Sequence, residues 1–511
     1  MRRISISINN ARGRPPGPFW RKPSHLLFIL PVFLAGCTVG PDFEKPAPPK
    51  IDSFTPSPLP KTTAATPDVA GGEAQRFVEG GDISAEWWTL FHSRPLNDLI
   101  DQALANNHDL KAAQAALTAA RENTAAGRGA FFPSVSLGAL ASRQQNPPGA
   151  LAPVPSNNAF LYNLYTPQVS VSYAPDVFGL NRRTVESLEA QERAVKFQMF
   201  ATYTTLTSNV VVTAIQEAAV HAQIDATHQL IDIETNMVRI LQYQLDKGYA
   251  GGLDLAAQKS QLAQTTASLP PLMKQLAQLH DQLAVLAGQF PSQMAAENFE
   301  FSSLQLPQDV PVSLPSTLVE QRPDVRQAEE NLHAASAQIG VAVANRLPNF
   351  QLTANAGSTA LAINQLFTPG TGFWNIGAAL AAPIFQGGTL LHQERAARAN
   401  YTQAAEQYRS TVLTAFQNVA DTLAALQQDA EALKSAADAE NAAKTTLDLS
   451  QRQYRDGYAG YLSLLNAEQA YQQARITLIQ AQSDRYADTA ALFQALGGGW
   501  WHRTELAEDK R

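Results

Sequence analysis

Three side chains in one stretch of the chain have the spacing that a metal site needs. His221, Asp225 and His228 fall on one face if this stretch is helical, and imidazole and carboxylate groups are common zinc ligands. A solvated helix face is the simpler interpretation of such a stripe. The chain also has no phosphate-binding Gly-rich loop, nucleophile elbow or His-Glu-x-x-His motif. The sequence therefore predicts no enzyme and no metal or cofactor site.

The single cysteine, Cys37, has a different chemical context. Residues 1–36 contain basic residues and no acidic ones, followed by an apolar stretch that is too short to span a bilayer. This order, ending at a junction of small residues, is typical of a secretory signal peptide. Leu34-Ala35-Gly36-Cys37 resembles the lipobox of bacterial lipoproteins, in which the cysteine thiol receives a diacylglycerol and its amine is acylated. The resemblance implies a signal peptide over 1–36 and a lipid anchor on Cys37.

Composition excludes two further classes of protein. Lys and Arg number 38 against 45 Asp and Glu, a net charge of −7, whereas nucleic-acid-binding proteins usually carry a basic footprint. The mean hydropathy of −0.18 excludes a polytopic helical membrane protein. Residues 37–80 are rich in proline, which favours extended chain. We therefore interpret 37–80 as a lipid-anchored extension that acts as a spacer to the folded body.

The remaining chain consists of two copies of one design. Four landmarks of the first copy return in the same order: Asp109 as Asp324, Phe132-Pro133 as Leu347-Pro348, Gly179 as Gly387, and Gly248-Tyr-Ala-Gly251 as Gly457-Tyr-Ala-Gly460. The spacing of about 210 residues indicates an internal duplication. We place the first repeat at 81–300, the second at 301–499 and a C-terminal tail at 500–511.

Each repeat is predicted to contain one β-hairpin. The segments near 131–177 and 347–386 alternate apolar with small polar residues, and aromatic residues gather at the strand ends. Such alternation suits strands with lipid on one side and water on the other, with aromatic residues at the membrane interfaces. The last strand, predicted over Ile376–Ile384, is rich in Ala and Gly and follows the alternation less clearly.

A long helical hairpin is predicted after each β-hairpin, over about 180–289 and about 387–496. Between Leu180 and Lys247 there is neither Pro nor Gly, which predicts a helix of about 100 Å. Apolar residues recur at every seventh position in both copies, which indicates supercoiled helices. The two Gly-Tyr-Ala-Gly segments then reverse the chain.

The hydrocarbon environment of a membrane requires this chain to form an oligomer. Two β-hairpins supply four strands, and an open sheet edge cannot face hydrocarbon because its N–H and C=O groups remain unsatisfied. Known membrane barrels have at least about eight strands. The predicted fold class is therefore an α+β membrane protein of two repeats, in which several copies close one barrel.

The conserved-looking segments resemble one family in particular. Cys37-Thr-Val-Gly-Pro-Asp-Phe43, Arg322-Pro-Asp-Val325 and Pro383-Ile-Phe-x-Gly-Gly388 resemble outer-membrane efflux lipoproteins related to OprM and NodT, with the TolC fold. The resemblance implies a homotrimer with a 12-stranded outer-membrane barrel, continued by an α-helical coiled-coil barrel through the periplasm. It also implies a periplasmic adaptor and an inner-membrane pump of the resistance–nodulation–division class. The channel itself would perform no chemistry.

The resemblance further implies a gate at the periplasmic tip, where the helical hairpins turn. TolC has a hydrogen-bonded aspartate and tyrosine at the positions of Asp254 and Tyr454. Ser463 and Asn466 stand where TolC has the two aspartates of its acidic rings, so we expect weaker block by multivalent cations. Leu464 or Leu465 could supply an apolar constriction instead. The adaptor would contact the turns at Gly248, Gly251, Gly457 and Gly460.

Two alternatives remain open at this stage. Type I protein secretion uses the same channel fold, and the lipobox favours small-molecule efflux over it only by family habit. A structural coiled-coil lipoprotein without a channel would explain Cys37, the Pro-rich segment and the heptads. It would leave the four alternating segments with aromatic ends unexplained.

Overall fold

The computed structural model describes residues 38–149, 151, 154, 158–294 and 299–503. The predicted signal peptide, Cys37 and most of the C-terminal tail lie outside the described residues. The strands and longer helices are β1 (Arg76–Glu79), α1 (Arg94–Asn106), α2 (His108–Arg128), β2 (Ser134–Gln145), β3 (Leu161–Tyr173), α3 (Leu180–Asp246), α4 (Gly252–Leu286), β4 (Asp309–Val312), α5 (Pro315–Gln321), α6 (Pro323–Ala344), β5 (Asn349–Ser358), β6 (Gly372–Ala381), α7 (Thr389–Arg455) and α8 (Tyr461–Ala495). None of the described helices has the length and apolarity needed to cross a bilayer.

The internal duplication is confirmed by the element order. The series α2-β2-β3-α3-α4 is repeated as α6-β5-β6-α7-α8, and α3 and α7 have 67 residues each while α4 and α8 have 35 each. One landmark was paired wrongly. Both long helices begin after a glycine in the left-handed region, Gly179 at φ 83° and Gly388 at φ 86°, so Gly388 rather than Gly387 is the counterpart of Gly179.

The predicted β-hairpins form one antiparallel sheet in the order β2-β3-β5-β6. Its register aligns Leu137, Val169, Ala356 and Trp374 in one row across all four strands. Because neighbouring side chains of a strand point to opposite faces, the row beside it lies on the other face. That row is polar and consists of Ser136, Ser170, Asn355 and Asn375. The sheet therefore has one apolar face and one uncharged polar face.

The last strand differs from its predicted range. It covers Gly372–Ala381 rather than Ile376–Ile384, so it begins with Phe373 and Trp374 and ends before Pro383. The proline explains the end, since a residue before proline is restricted and proline has no N–H to donate to a ladder. Within the described residues, β2 and β6 each pair along one side only. Both outer edges of this sheet are thus open in a single chain.

The hydrophobic core is widest where the two repeats and both chain ends meet. The ring of Trp87 stacks on Phe493 at 5.2 Å between centroids, and Trp500 stacks on Phe200 at 4.5 Å. The indole N–H of Trp501 donates to Asp82, which lies near the start of the first repeat. Both Trp pairs, Trp87-Trp88 and Trp500-Trp501, thus pack where the start of the first repeat meets the end of the second. We call this region the equatorial core.

The Pro-rich segment is extended as predicted, but it packs against the helical body instead of standing off as a spacer. We call residues 38–80 the N-terminal strap. Arg183 of α3 is buried and binds its start, donating to the carbonyl of Val39 at 3.0 Å and to Asp42 at 2.7 Å. A second buried arginine, Arg485 of α8, binds its later part. The prediction missed these contacts because arginine partners far along the chain leave no local sequence pattern.

The guanidinium group of Arg485 is satisfied by four hydrogen bonds. Its guanidinium donates to the carbonyls of Gly71 at 3.2 Å, Glu73 at 3.2 Å and Leu426 at 2.9 Å, and to the Thr63 hydroxyl at 2.8 Å. A fully buried cation needs such partners, because burial without them is costly. One side chain thus joins α7, α8 and the strap.

Replacing Arg485 with methionine should lower the thermal stability of the purified protein. Methionine fills much of the space but leaves buried carbonyl groups without a donor, a loss of about 2–3 kcal/mol. The midpoint of thermal unfolding, followed by circular dichroism, should fall below that of the wild type. Arg409→Ala is the matched control, because Arg409 is exposed and pairs with Glu406 one turn away. Equal midpoints for Arg485→Met and the control would contradict this role.

Candidate functional site: the hairpin tips

The two Gly-Tyr-Ala-Gly turns join the long helices at the same end of the molecule, and they have one geometry. Gly248 and Gly457 adopt positive φ angles of 78° and 79°. After each glycine the chain closes the helix end, since the N–H of Tyr249 donates to the carbonyl of Gln244 and the N–H of Tyr458 to that of Gln453, both at 2.8 Å. These 6→1 bonds are typical of helix ends with a left-handed glycine. The glycines are therefore required by the turn itself.

Each turn presents an aromatic and an aliphatic side chain to solvent. Tyr249 and Tyr458 are 82% and 87% exposed, and Leu253 and Leu462 follow each of them by one helical turn with similar exposure. Gly251 and Gly460 precede α4 and α8 in extended conformation. The four glycines that we predict to contact the adaptor therefore flank two similar exposed surfaces, one at each turn.

The structure assigns Tyr454 a different hydrogen-bond partner from the predicted one. Its hydroxyl donates to the side-chain oxygen of Gln244 at 2.8 Å, across the contact between α7 and α3. Asp254 lies in the first turn of α4, where the helix dipole favours a carboxylate. Burial and, secondarily, the charge of Asp254 raise the pKa of Tyr454. Asp254 is therefore a neighbour of Tyr454, and Gln244 is its hydrogen-bond partner.

Apolar side chains from all four long helices meet just behind the turns. We call this group the tip cluster, and its buried members are Met237, Leu241, Leu255, Leu447, Tyr461, Leu464 and Ala467. Leu464 is fully buried there, so it belongs to the packing of the hairpins and does not line a constriction in this arrangement. Leu465 is half-buried at the edge of the cluster, whereas Ser463 and Asn466 are exposed.

Sequence reasoning missed a polar layer that adjoins the tip cluster. Glu234 of α3 and Glu468 of α8 are fully buried, and α4 adds three polar side chains between them. These are Gln258, Gln261 and Thr265. A signal was present, because Glu234 falls three residues after Ile231, at an inward-facing position of the heptad pattern. An acid at such a position marks a special layer in a coiled coil.

His221, Asp225 and His228 lie on α3, and the sequence predicts that they form no metal site. Among the described residues, no three His, Cys, Asp or Glu side chains are grouped so that they could hold a metal ion. A groove of about 260 Å³ between α3 and α7 is lined by Ile240, Gln244, Tyr454 and Arg455 among others. The hairpin tips thus present two turns and a groove on a helical surface.

Comparison with known proteins identifies this architecture. A family model described as outer membrane efflux protein matches residues 99–289 and 314–498. The toluene efflux pump outer membrane protein TtgC of Pseudomonas putida is 29% identical over 489 residues, which cover 95% of this chain and 97% of the relative. The cation efflux system protein CusC of Escherichia coli is 26% identical over 479 residues, covering 94% and 99%. The solved outer-membrane channel OprN matches with a TM-score of 0.80 and 26% identity, over 91% of this chain and 100% of that one.

The matched ranges include both helical hairpins and both β-hairpins described above. The first repeat and the second are each recognised, in agreement with the duplication. The resemblance to OprM-like proteins of the TolC fold is confirmed. The chain belongs to the outer membrane efflux protein family and is an outer-membrane channel for efflux.

Proposed function

We propose that three copies of this chain form a passive conduit that carries small molecules through the periplasm and the outer membrane. The observation that carries the proposal is the four-stranded sheet with an apolar row, a polar row and two open edges. Three copies would give a closed barrel of twelve strands, with the apolar row toward lipid and the polar row toward water. The long helices would continue the barrel as a tube.

The partners of this conduit are a periplasmic adaptor and an inner-membrane pump of the resistance–nodulation–division class. The adaptor would contact the turns, where exposed Tyr249 and Tyr458 offer aromatic surface next to the groove beside Tyr454. Aromatic side chains with a polar end are frequent in protein interfaces. The energy for transport would come from the pump.

The names of the relatives support small molecules as the transported substrates. One relative is named for toluene and another for cations, which are chemically unlike. The polar row of this sheet carries hydroxyl and carboxamide groups, and such a wall favours no single charge. Selection of the substrate therefore belongs to the pump, with protein secretion as the second candidate use of the same tube.

The gate of the conduit lies at the hairpin tips. Tyr454 and Gln244 join α7 to α3, and Asp254 stands beside them. The tip cluster and Leu465 supply apolar packing behind the turns, and exposed Ser463 and Asn466 face away from it. Opening would separate the second hairpin from the first and break the Tyr454–Gln244 hydrogen bond in every copy.

Ion conductance in planar bilayers tests the gate. Wild-type protein should conduct weakly, and the double variant Asp254→Ala, Tyr454→Phe should conduct strongly, because each lost hydrogen bond is worth about 0.5–1.5 kcal/mol. With three copies acting together, the open fraction should rise at least about tenfold. Tyr458→Phe is the control, since its side chain is exposed at the turn. Equal conductance of the double variant and the control would place the gate elsewhere.

Conductance distinguishes the conduit from a structural linker, and deletion of the gene distinguishes efflux from protein secretion. A linker would form no conducting trimer in any variant. For protein secretion, deleting the gene would remove proteins from the medium, whereas for efflux it would sensitise cells to small toxic compounds. Increased sensitivity with an unchanged set of secreted proteins supports efflux.

Divalent cations should block this channel weakly. Ser463 and Asn466 are uncharged where TolC has two aspartates, so no ring of carboxylates arises from them. Conductance should therefore be nearly unchanged by millimolar Ca²⁺ or Mg²⁺. The double variant Ser463→Asp, Asn466→Asp should acquire the block. Strong block of the wild type would show that other acidic groups line the constriction.

We also propose a lipid anchor on Cys37. Cells grown with labelled palmitate should yield labelled wild-type protein, and Cys37→Ser should remain unlabelled because the thiol is the acceptor of the diacylglycerol. Ser134→Ala, a change at a hydroxyl distant from the signal region, is the control and should be labelled. Labelled Cys37→Ser protein would contradict the assignment of the anchor.

A further inference from the structure

The polar layer behind the tip cluster contains acidic side chains that the proposed gate does not use. Glu234 lies on the first helical hairpin and Glu468 on the second, and both are fully buried. Buried carboxylates are normally paired with bases or saturated with hydrogen bonds, because desolvation of a charge is costly. The environment of these two groups departs from that rule.

Hydrogen bonds satisfy only one of the four carboxylate oxygens. Oε1 of Glu234 accepts from the Thr265 hydroxyl at 2.9 Å and from the Gln261 amide at 3.3 Å. Oε2 of Glu234 accepts no hydrogen bond in the part of the chain that the structure describes, and neither oxygen of Glu468 is within good hydrogen-bond geometry of a donor. The Gln258 amide is the donor near enough to Glu468 to act on it. An unpartnered carboxylate in such a site is destabilised much more strongly than a neutral carboxylic acid.

The groups around Glu468 favour its neutral form. Burial first, and then the negative charge of Glu234, raise the pKa of Glu468 to about 7, with Gln258 acting in the opposite direction. Burial likewise raises the pKa of Glu234, and this effect outweighs the hydrogen bonds from Thr265 and Gln261, which lower it. Two acids that interact in one buried layer cannot both ionise at low cost. Below about pH 7, Glu468 therefore holds a proton between the packed hairpins.

The other titratable groups near this layer come from each packed helix. Their charges affect the pKa of Tyr461 or Tyr471, the neighbouring tyrosines of α8. These groups are Asp254 of α4, Glu440 and Asp448 of α7, and Arg475 of α8. Tyr461 itself donates its hydroxyl to Gln258. Arg475 contacts Glu440 at 3.6 Å, so its charge is directed to α7. The surroundings of the pair are mainly acidic or neutral.

We infer that Glu234 and Glu468 form a proton-operated lock that holds the two helical hairpins of each chain together behind the tip. The inference rests on the proposed gate and names a regulator of it, the proton. When the hairpins separate, water enters the layer, both carboxyl groups ionise and the held proton passes to solvent. Loss of that proton while the hairpins are packed leaves two like charges in an apolar site and drives them apart.

The direction of the pH effect follows from linkage. The packed hairpins bind a proton more tightly than separated ones, in which glutamates titrate near their ordinary pKa of about 4.3. The packed arrangement is therefore fully stabilised at acidic pH and loses this stabilisation as pH rises through about 7. One released proton per chain changes the equilibrium of that chain by at most about tenfold per pH unit. Alkaline conditions favour the open tip.

Conductance of the full-length protein between pH 5.5 and 8.5 tests the lock. Wild-type conductance should rise with pH up to about 7 and level off above it, because the packed hairpins lose their extra proton affinity between the ordinary glutamate pKa and about 7. Glu468→Gln, which is neutral at every pH and has the same shape, should abolish the rise and stay closed at pH 8.5. Glu234→Gln should reduce the rise in the same direction, and it serves as the second variant if one of them fails to form a heat-modifiable trimer. Glu431→Gln, at an exposed acid of α7, is the control and should keep the wild-type response.

The outcomes separate this inference from the proposed function. If no variant conducts at any pH, including Asp254→Ala, Tyr454→Phe, the conduit itself is refuted. If the double variant opens the channel while the wild type shows no pH response, the gate stands and the lock is refuted. The lock is equally refuted if Glu468→Gln and Glu431→Gln respond to pH alike.

Discussion

The constraint on which the rest of the structure depends is the need to satisfy every backbone N–H and C=O group of a sheet in hydrocarbon. The sheet of one chain has four strands, and β2 and β6 are open on their outer sides. Water could solvate these edges, but a bilayer cannot. Pairing with further copies removes both edges at once. The same closure brings the long helices that follow β3 and β6 into a ring, so the helical tube is a consequence of the barrel.

The duplication solves the geometric problem of joining the barrel to the tube. Each repeat supplies two strands and then one helical hairpin, with identical helix lengths in the two copies. The left-handed glycines Gly179 and Gly388 make the junction from strand to helix in both. The two hairpins are equal in length, so their turns reach the same level and can close against each other. Their side chains differ, and these differences determine which contacts between the two hairpins are strong.

Local patterns were sufficient for the elements of this fold and insufficient for its contacts. The uninterrupted run after Leu180 predicted α3 within one residue, and the recurrence of Gly-Tyr-Ala-Gly predicted both turns. The partner of Tyr454 was predicted wrongly, because Gln244 reaches it across two helices whose relative phase depends on the supercoil. The sequence left either Leu464 or Leu465 as an apolar constriction, and the phase of α8 places Leu464 inside the tip cluster and Leu465 at its edge. The hydrogen bonds from Arg183 and Arg485 to the strap join residues 144 and 422 positions apart and leave no periodic signal.

The equatorial core, near the middle of the long helices, and the tips at their ends are stabilised by different chemistry, which supports the proposed gate at the tips. At the equatorial core, stacked aromatic rings and the saturated guanidinium of Arg485 tie both repeats to the strap. Moving one hairpin there would break several buried contacts together. At the tips, the packing of α3 against α7 and α8 relies on a small apolar cluster, single hydrogen bonds between polar side chains, and carboxyl groups that lack partners. Contacts of this kind can be exchanged for water at little cost. The proposed gate therefore lies at the weakly joined end of helices that are firmly packed at the equatorial core.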